Sequence, residues 1–159
     1  MLKIALSFKD ELNKLFLENY LKEEYKYYLL STFIDKELFN DKEFGWGRSS
    51  FVSVDDKNKI LGFLSFTEEI RVCSISNISI INFIKSNIFN LDLFKFFKYM
   101  YNLNNIQKIS WNVIIGNPVE KKYDRICKRY NGYIVGIQKR EVMLNDRKLY
   151  DKKLYEILK

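Results

Sequence analysis

The chain contains no histidine. That removes the commonest general base and the commonest metal ligand of proteins. Proton transfer would have to use a carboxylate, a tyrosine, a chain terminus or a relay of water. Such groups are plentiful: 11 tyrosines, and 20 aspartates and glutamates that include the adjacent pair Glu68-Glu69. The two cysteines, Cys73 and Cys127, lie far apart in apolar surroundings. They read as buried, reduced thiols rather than as a disulfide or a metal site. Zinc without histidine would need a carboxylate-rich cluster, which the sequence does not display, so no metal is expected.

The stretch best built to hold reactive groups in place runs from Lys108 to Gln138, KISWNVIIGNPVEKKYDRICKRYNGYIVGIQ. Ile109, Trp111, Val113 and Ile115 recur at period two, as in a strand. Asn117 then suits a helix N-cap and Pro118 the first helical position. Glu120 is spaced to reach back to the Asn117 N–H in a capping box. Val119, Tyr123, Ile126, Cys127 and Tyr130 fall on one helical face, with lysines and arginines on the others. Asn131-Gly132 supplies a left-handed stop, and Tyr133 opens the next strand.

Around this unit, 159 residues with 47% hydrophobic and 16% aromatic content suffice for one core, and the whole of 1–159 reads as a single domain. Leu2 to Phe8 alternates like a first strand. Helical patterns follow over Lys9–Tyr20 and Leu21–Leu38, and Asn40–Ser50 is a loop that carries Trp46 between two glycines. Phe51–Val54 and Ile60–Phe66 form a hairpin about the polar turn Asp55–Lys59, and Gly62 marks a bulge or a close backbone approach. Thr67–Ile70 reads as a turn, and Arg71–Lys85 as a long central strand, apolar on both faces. Asn90 suits the cap of a helix Leu91–Leu103, with Asp92 favourable in its first turn. Asn145-Asp146 is a turn, and the last segment, around Leu154–Leu158, is a strand or a short helix. No apolar run is long enough to span a bilayer, and a cytoplasmic protein is expected.

With these residues the chain resembles the GCN5-related N-acetyltransferase (GNAT) family. Three stretches carry the likeness: Ile60-Leu61-Gly62-Phe63 before the central strand, Asn117 to Gly132 with its helical tyrosine, and the turn Asn145 to Asp151. Together they span roughly residues 50–159. The whole also looks like the short acetyltransferase-like proteins of phage genomes. The resemblance implies an α/β fold with N-terminal helices, a mixed, mostly antiparallel sheet with splayed central strands, and helices on both faces. It implies acetyl-CoA as co-substrate and transfer of its acyl group to a primary amine by direct attack. The acceptor would be a small molecule or a protein amine, and a homodimer fits the family. By the same carry-over, the central-strand edge Ile80, Ile81, Asn82 and Phe83 would polarise the thioester. Lys85, Ser86, Asn87 and Asn90 would lie at the pyrophosphate, and Asn117 at the pantetheine arm. Tyr123 would protonate the leaving thiolate, with Tyr130 as fallback, and Glu68 and Glu69 would act as bases through water.

One departure matters. The family's glycine-rich pyrophosphate loop is replaced here by Lys85-Ser86-Asn87-Ile88-Phe89-Asn90-Leu91, which has no glycine to admit positive φ or close phosphate approach. The alternative is therefore a catalytically inactive module of the same fold that has lost acetyl-CoA binding and works by interaction. Tyr123 equally suits the apolar stripe, and Glu68-Glu69 a solvated turn. The net charge of +7 permits nucleic acid as a weaker third reading, since charge alone specifies little.

Overall fold

A computed structural model describes residues 1–19, 22–27 and 47–159. The expected helix over Leu21–Leu38 and the Trp46 loop lie largely outside the described residues. Seven strands are present among them: β1 (Leu2–Ile4), β2 (Arg48–Val54), β3 (Ile60–Glu69), β4 (Ser74–Asn82), β5 (Lys108–Ile114), β6 (Tyr133–Met143) and β7 (Leu149–Leu158). They form one sheet in the order β1-β2-β3-β4-β5-β7-β6. Neighbours are antiparallel except β4 and β5, which run parallel. Among the described residues three α-helices accompany them: α1 (Lys9–Asn19), α2 (Asn87–Asn102) and α3 (Glu120–Arg129).

Helices cover both faces, as the apolar patterns require. Leu93, Phe96, Phe97 and Met100 of α2 and Ile126 of α3 pack with Leu64, Phe66, Ile109 and Trp111. Leu12 and Phe16 of α1 pack with Val52, Val54 and Phe63 on the opposite face. Strand alternation divides Phe63 from Leu64 and Ile80 from Ile81 between the two layers. Gly62 combines both expected roles. The β2–β3 register slips beside it, and a Cβ there would lie 2.2 Å from the Phe89 ring and 2.6 Å from the Ile81 carbonyl oxygen. Its missing side chain lets Phe89, and with it the start of α2, seat against the sheet.

Several boundaries differ from the sequence reading. β1 stops at Ile4 and passes into a 3-10 turn over Ala5–Phe8, because small Ala5 enters the core there. β3 continues through Thr67 to Glu69, and the turn falls on Ile70–Val72 instead. Cys73 closes that turn at φ 49° and is partly exposed rather than buried, whereas Cys127 is buried; both are free thiols. The central strand is Ser74–Asn82, shorter than Arg71–Lys85. α2 begins one turn before Leu91: the Ile88 N–H donates to Ser86 Oγ at 3.1 Å, so Ser86 and not Asn90 is the cap. Asp92 is buried in α2, where it accepts from Ser53 Oγ at 2.8 Å rather than facing the helix dipole in solvent.

At the head of α3 the capping residues are as expected but shifted. Asn117 Oδ1 accepts from the Val119 N–H at 3.1 Å, and Glu120 Oε2 accepts from Gly116 N–H rather than Asn117 N–H. At its tail Asn131, with φ 52°, takes the left-handed position, and the Gly132 N–H returns to the Cys127 carbonyl at 2.8 Å. The Asn145–Asp151 turn is tied by Asp146, which accepts from the Lys148 N–H at 3.0 Å and the Tyr150 hydroxyl at 2.6 Å. The last segment is a strand, β7, inserted between β5 and β6.

Candidate active site

β4 and β5 pair only at their first residues, Ser74 with Lys108 and Ile75 with Ile109. The cause of the parting lies in β4. Asn77 adopts φ 50°, and the register against β3 slips between Ser65 and Thr67. A bulge bends its strand and increases the local twist, which turns the C-terminal half of β4 away from β5. Among the described residues no strand fills the resulting gap. Among the described residues no strand pairs with β4 on this side beyond Ile75, and at its far end the Asn82 carbonyl accepts from the Tyr25 hydroxyl at 3.3 Å.

Two adjoining cavities occupy the gap. The inner one, about 200 Å³, is walled by Ile78, Ile80, Asn112, Val113 and Tyr123, with Lys152 and Val142 on the β6–β7 side. The outer one, about 390 Å³, lies between the start of α2 and the start of α3 and is edged by Lys85, Ser86, Asn90 and Lys122. Tyr27, Ile80, Asn117 and Val119 line both, so the two spaces adjoin along the splay.

Tyr123 stands at the inner cavity because Asn117 and Glu120 fix the entry of α3 one turn before it. It is 6% exposed, and its ring packs edge-on against Trp111 at 6.4 Å and Tyr155 at 6.2 Å. Tyr155 is held in turn by stacking on Trp111 at 5.1 Å and by donating its hydroxyl to Asp124 at 2.7 Å. Burial, then that hydrogen bond, push the Tyr155 phenol far above the ordinary tyrosine range, so it stays protonated. Lys153 ion-pairs with both Glu120 and Asp124, which locks the first turns of α3 onto β7. The Tyr123 ring therefore has little freedom.

Lys122, one residue earlier, faces the outer cavity. Its ammonium donates to Asn90 Oδ1 at 2.5 Å, joining α3 to the first turn of α2. Burial, with a smaller contribution from Arg125, lowers its pKa below that of a free lysine. With Lys85 it sets positive charge beside a helix N-terminus, a combination suited to an anion such as a phosphate. One of the α2 amides is already used, because the Ile88 N–H is bound to Ser86.

Solved structures reproduce this architecture over nearly the whole chain. A spermidine N-acetyltransferase from Vibrio cholerae, in complex with CoA and spermine, superposes with a TM-score of 0.68 at 20% identity, covering 99% of this chain and 94% of that one. A ribosomal L7/L12 alpha-N-protein acetyltransferase in complex with coenzyme A gives 0.73 at 16% identity, covering 99% and 92%. A dodecameric form of the Vibrio cholerae enzyme gives 0.69 at 18% identity, with the same coverage. The chain has the GNAT fold. No protein-family model matches its sequence, and no curated protein matches it.

Within this GNAT fold, Ile80, Asn82, Lys85, Ser86, Asn90 and Asn117 meet around the outer cavity, and Tyr123 joins Ile80, Ile81 and Asn117 around the inner one. Others lie elsewhere. Phe83 packs with Phe16 and Tyr25 on the far face of the sheet, and Asn87 is exposed at the first position of α2. Glu68 and Glu69 pair with Ile75 and Ser74, at the end where β4 and β5 are still joined, and Glu69 accepts from Ser76 Oγ at 2.5 Å. Neither carboxylate borders the cavities. Tyr130 packs at a tilt against Tyr101, centroids 4.8 Å apart, and lines neither cavity. Sequence reasoning missed Tyr27, Asn112, Lys122 and Lys152. Only Lys122 left a signal: it flanks the apolar stripe at helical spacing from Val119 and Ile126.

Proposed function

We propose that the chain is an N-acetyltransferase that moves an acetyl group from acetyl-CoA to a primary amine by direct attack. The observation that carries this reading is the parting of β4 from β5 beyond Ile75, with two adjoining cavities in the gap. A positive mouth at Lys85 and Lys122 adjoins a strand edge, unpaired among the described residues, and a buried tyrosine. Amides of β4 would hold the thioester carbonyl and favour the charge that builds on its oxygen. Asn117 and Val119 would flank the pantetheine arm. The amine nitrogen forms a bond to the acyl carbon as the carbon–sulfur bond breaks. The amine loses a proton to water, and the departing sulfur gains one from the Tyr123 hydroxyl. Acetyl-CoA acts as co-substrate and no metal takes part in this scheme. The acceptor belongs to the amines, the class that the superposed enzymes act on, and the setting taken is the cytoplasm.

A second reading keeps a specific observation on its side. The turn before α2 has no glycine, and Ser86 occupies one of the amides that a pyrophosphate would use. A chain of this fold that no longer binds acetyl-CoA and serves as an interaction module would look the same there. Calorimetric titration with acetyl-CoA, and with CoA for comparison, separates the two. The enzyme reading expects micromolar affinity and justifies a screen of amine acceptors, polyamines and peptide N-termini included. No heat and no thermal shift at millimolar ligand would sink it.

A pH dependence follows from Lys122. A lysine carries its charge below its pKa, and burial has moved this pKa down. Affinity for CoA phosphates is therefore expected to weaken as pH rises through that lowered value, earlier than a free lysine would allow. In Lys122→Arg, whose guanidinium stays charged, the same titration should be flat over that range. Equal slopes in both proteins would remove Lys122 from the phosphate site.

A further inference from the structure

We propose that the amine acceptor of this chain carries an oxyanion, a carboxylate or a phosphate-type group, which Lys152 binds at the inner cavity. The inference rests on the acetyl-transfer reading and narrows its acceptor. The donor would fill the outer cavity between α2 and α3. That leaves the acceptor the wall that β5 and β7 build on the other face of the sheet. Strand alternation sends Trp111, Val113 and Tyr155 toward α2 and α3, and Ile114 and Val142 to the opposite layer. Lys152 pairs with Ile114, and Asn112 stands two residues before Ile114, so both side chains share that opposite face. Lys153 alternates the other way and is taken up by Glu120 and Asp124 of α3.

Among the described residues lining the inner cavity, Lys152 is the one charged group. Its side chain is 23% exposed, and its ion pair, with Glu141, is 3.4 Å long to a carboxylate that is 42% exposed. A long pair to an exposed carboxylate contributes little. An incoming oxyanion therefore displaces Glu141 at small cost and gains a charge-assisted hydrogen bond to the ammonium. Asn112 offers an amide donor beside it, and the buried Ile114 and Val142 give the wall an apolar floor. This combination suits a small amine with a carboxylate or phosphate-type head. A polyamine such as the spermine bound by the superposed Vibrio cholerae enzyme would meet like charge at Lys152.

Tyr123 lines the same cavity. An acceptor anchored at Lys152 would present its nitrogen to the acyl carbon beside the phenol. The carbon–nitrogen bond forms as the carbon–sulfur bond breaks, the amine proton passes to water, and sulfur takes the Tyr123 proton.

Acetyl transfer to free amino acids, each beside its carboxamide, tests this, with aminophosphonates and spermidine in parallel. The charged member of a pair is expected to have the higher kcat/KM by about tenfold or more, the worth of a hydrogen bond to a charged group. The amino acid and aminophosphonate arms tell carboxylate from phosphate-type recognition. Lys152→Gln should erase the preference with acetyl-CoA affinity unchanged. Glu141→Gln should tighten the binding of charged acceptors, because it removes the competing carboxylate, an effect that a merely structural ion pair would not produce. Equal kcat/KM for acids and carboxamides, or a preference for spermidine, overturns the anion site and leaves acetyl transfer standing. No transfer to any amine counts against acetyl transfer, and calorimetry of the same amines then decides the anion site alone. Amino acid binding that is lost in Lys152→Gln supports it, and binding no tighter than that of the carboxamides overturns it.

Discussion

Tyr123→Phe is expected to lower acyl transfer about a hundredfold, the lower end for loss of a positioned proton donor. Its ring contacts with Trp111 and Tyr155 survive in phenylalanine, so the fold should hold. The stability change should stay within about 1 kcal/mol, the size of one hydrogen bond. Affinity for acetyl-CoA should be little altered, because the Lys85 and Lys122 mouth is untouched. The measurement is turnover with the amine returned by the acceptor screen, beside calorimetry and thermal melting of the same sample. Turnover within a factor of two of wild type would exclude the phenol as the proton donor to sulfur. A combined loss of turnover, affinity and melting temperature would instead mark Tyr123 as a packing residue. The apolar stripe on α3 allows that outcome, and the three readouts distinguish it from the chemical one.

Phe97→Ala should cost about 3–5 kcal/mol of unfolding free energy, the usual range for removing a buried phenylalanine. Phe97 is 0% exposed and lies edge-on to Trp111 at 5.3 Å and to Phe96 at 6.0 Å. It is where α2 locks onto β5. For a chain of this size that loss lowers the melting temperature by roughly 10 °C. Denaturant unfolding would measure it directly. A loss below about 1 kcal/mol would mean that α2 does not dock on this face as described. Because α2 carries Ser86 and Asn90 to the outer cavity, acetyl-CoA affinity is expected to fall with stability in this variant, whereas Tyr123→Phe should leave both in place.

Local chemistry made much of the architecture legible in the residues. Period-two apolar residues placed β5 at Ile109, Trp111 and Val113, and period 3.6 placed the buried face of α3 at Tyr123, Ile126 and Cys127. Asp55 and Asp146 tie the two polar turns through their own neighbouring amides, which is why those turns were readable. Gly62 was readable as a point of close approach because glycine in a strand interior is otherwise unfavourable. These are effects between residues a few positions apart, and the resemblance built on them led to the fold that the superpositions confirm.

Tertiary structure decided what depends on partners distant in sequence. Ser86 and Asn90 are both good caps, and the choice fell to Ser86 because starting there buries Phe89 at 2% exposure against Gly62. Glu68 and Glu69 look like a solvated turn by composition, yet pairing with β4 draws them into β3, at the closed end of the sheet and away from Tyr123. Lys122 reads as one more surface lysine until α2 brings Asn90 within 2.5 Å of it. The splay itself depends on a bulge at Asn77, whose φ of 50° no pattern of apolar residues announces. Sequence periodicity determines which side of an element is buried. Which elements then face one another, and which reactive groups meet across the gap, follows from the packing of the whole chain.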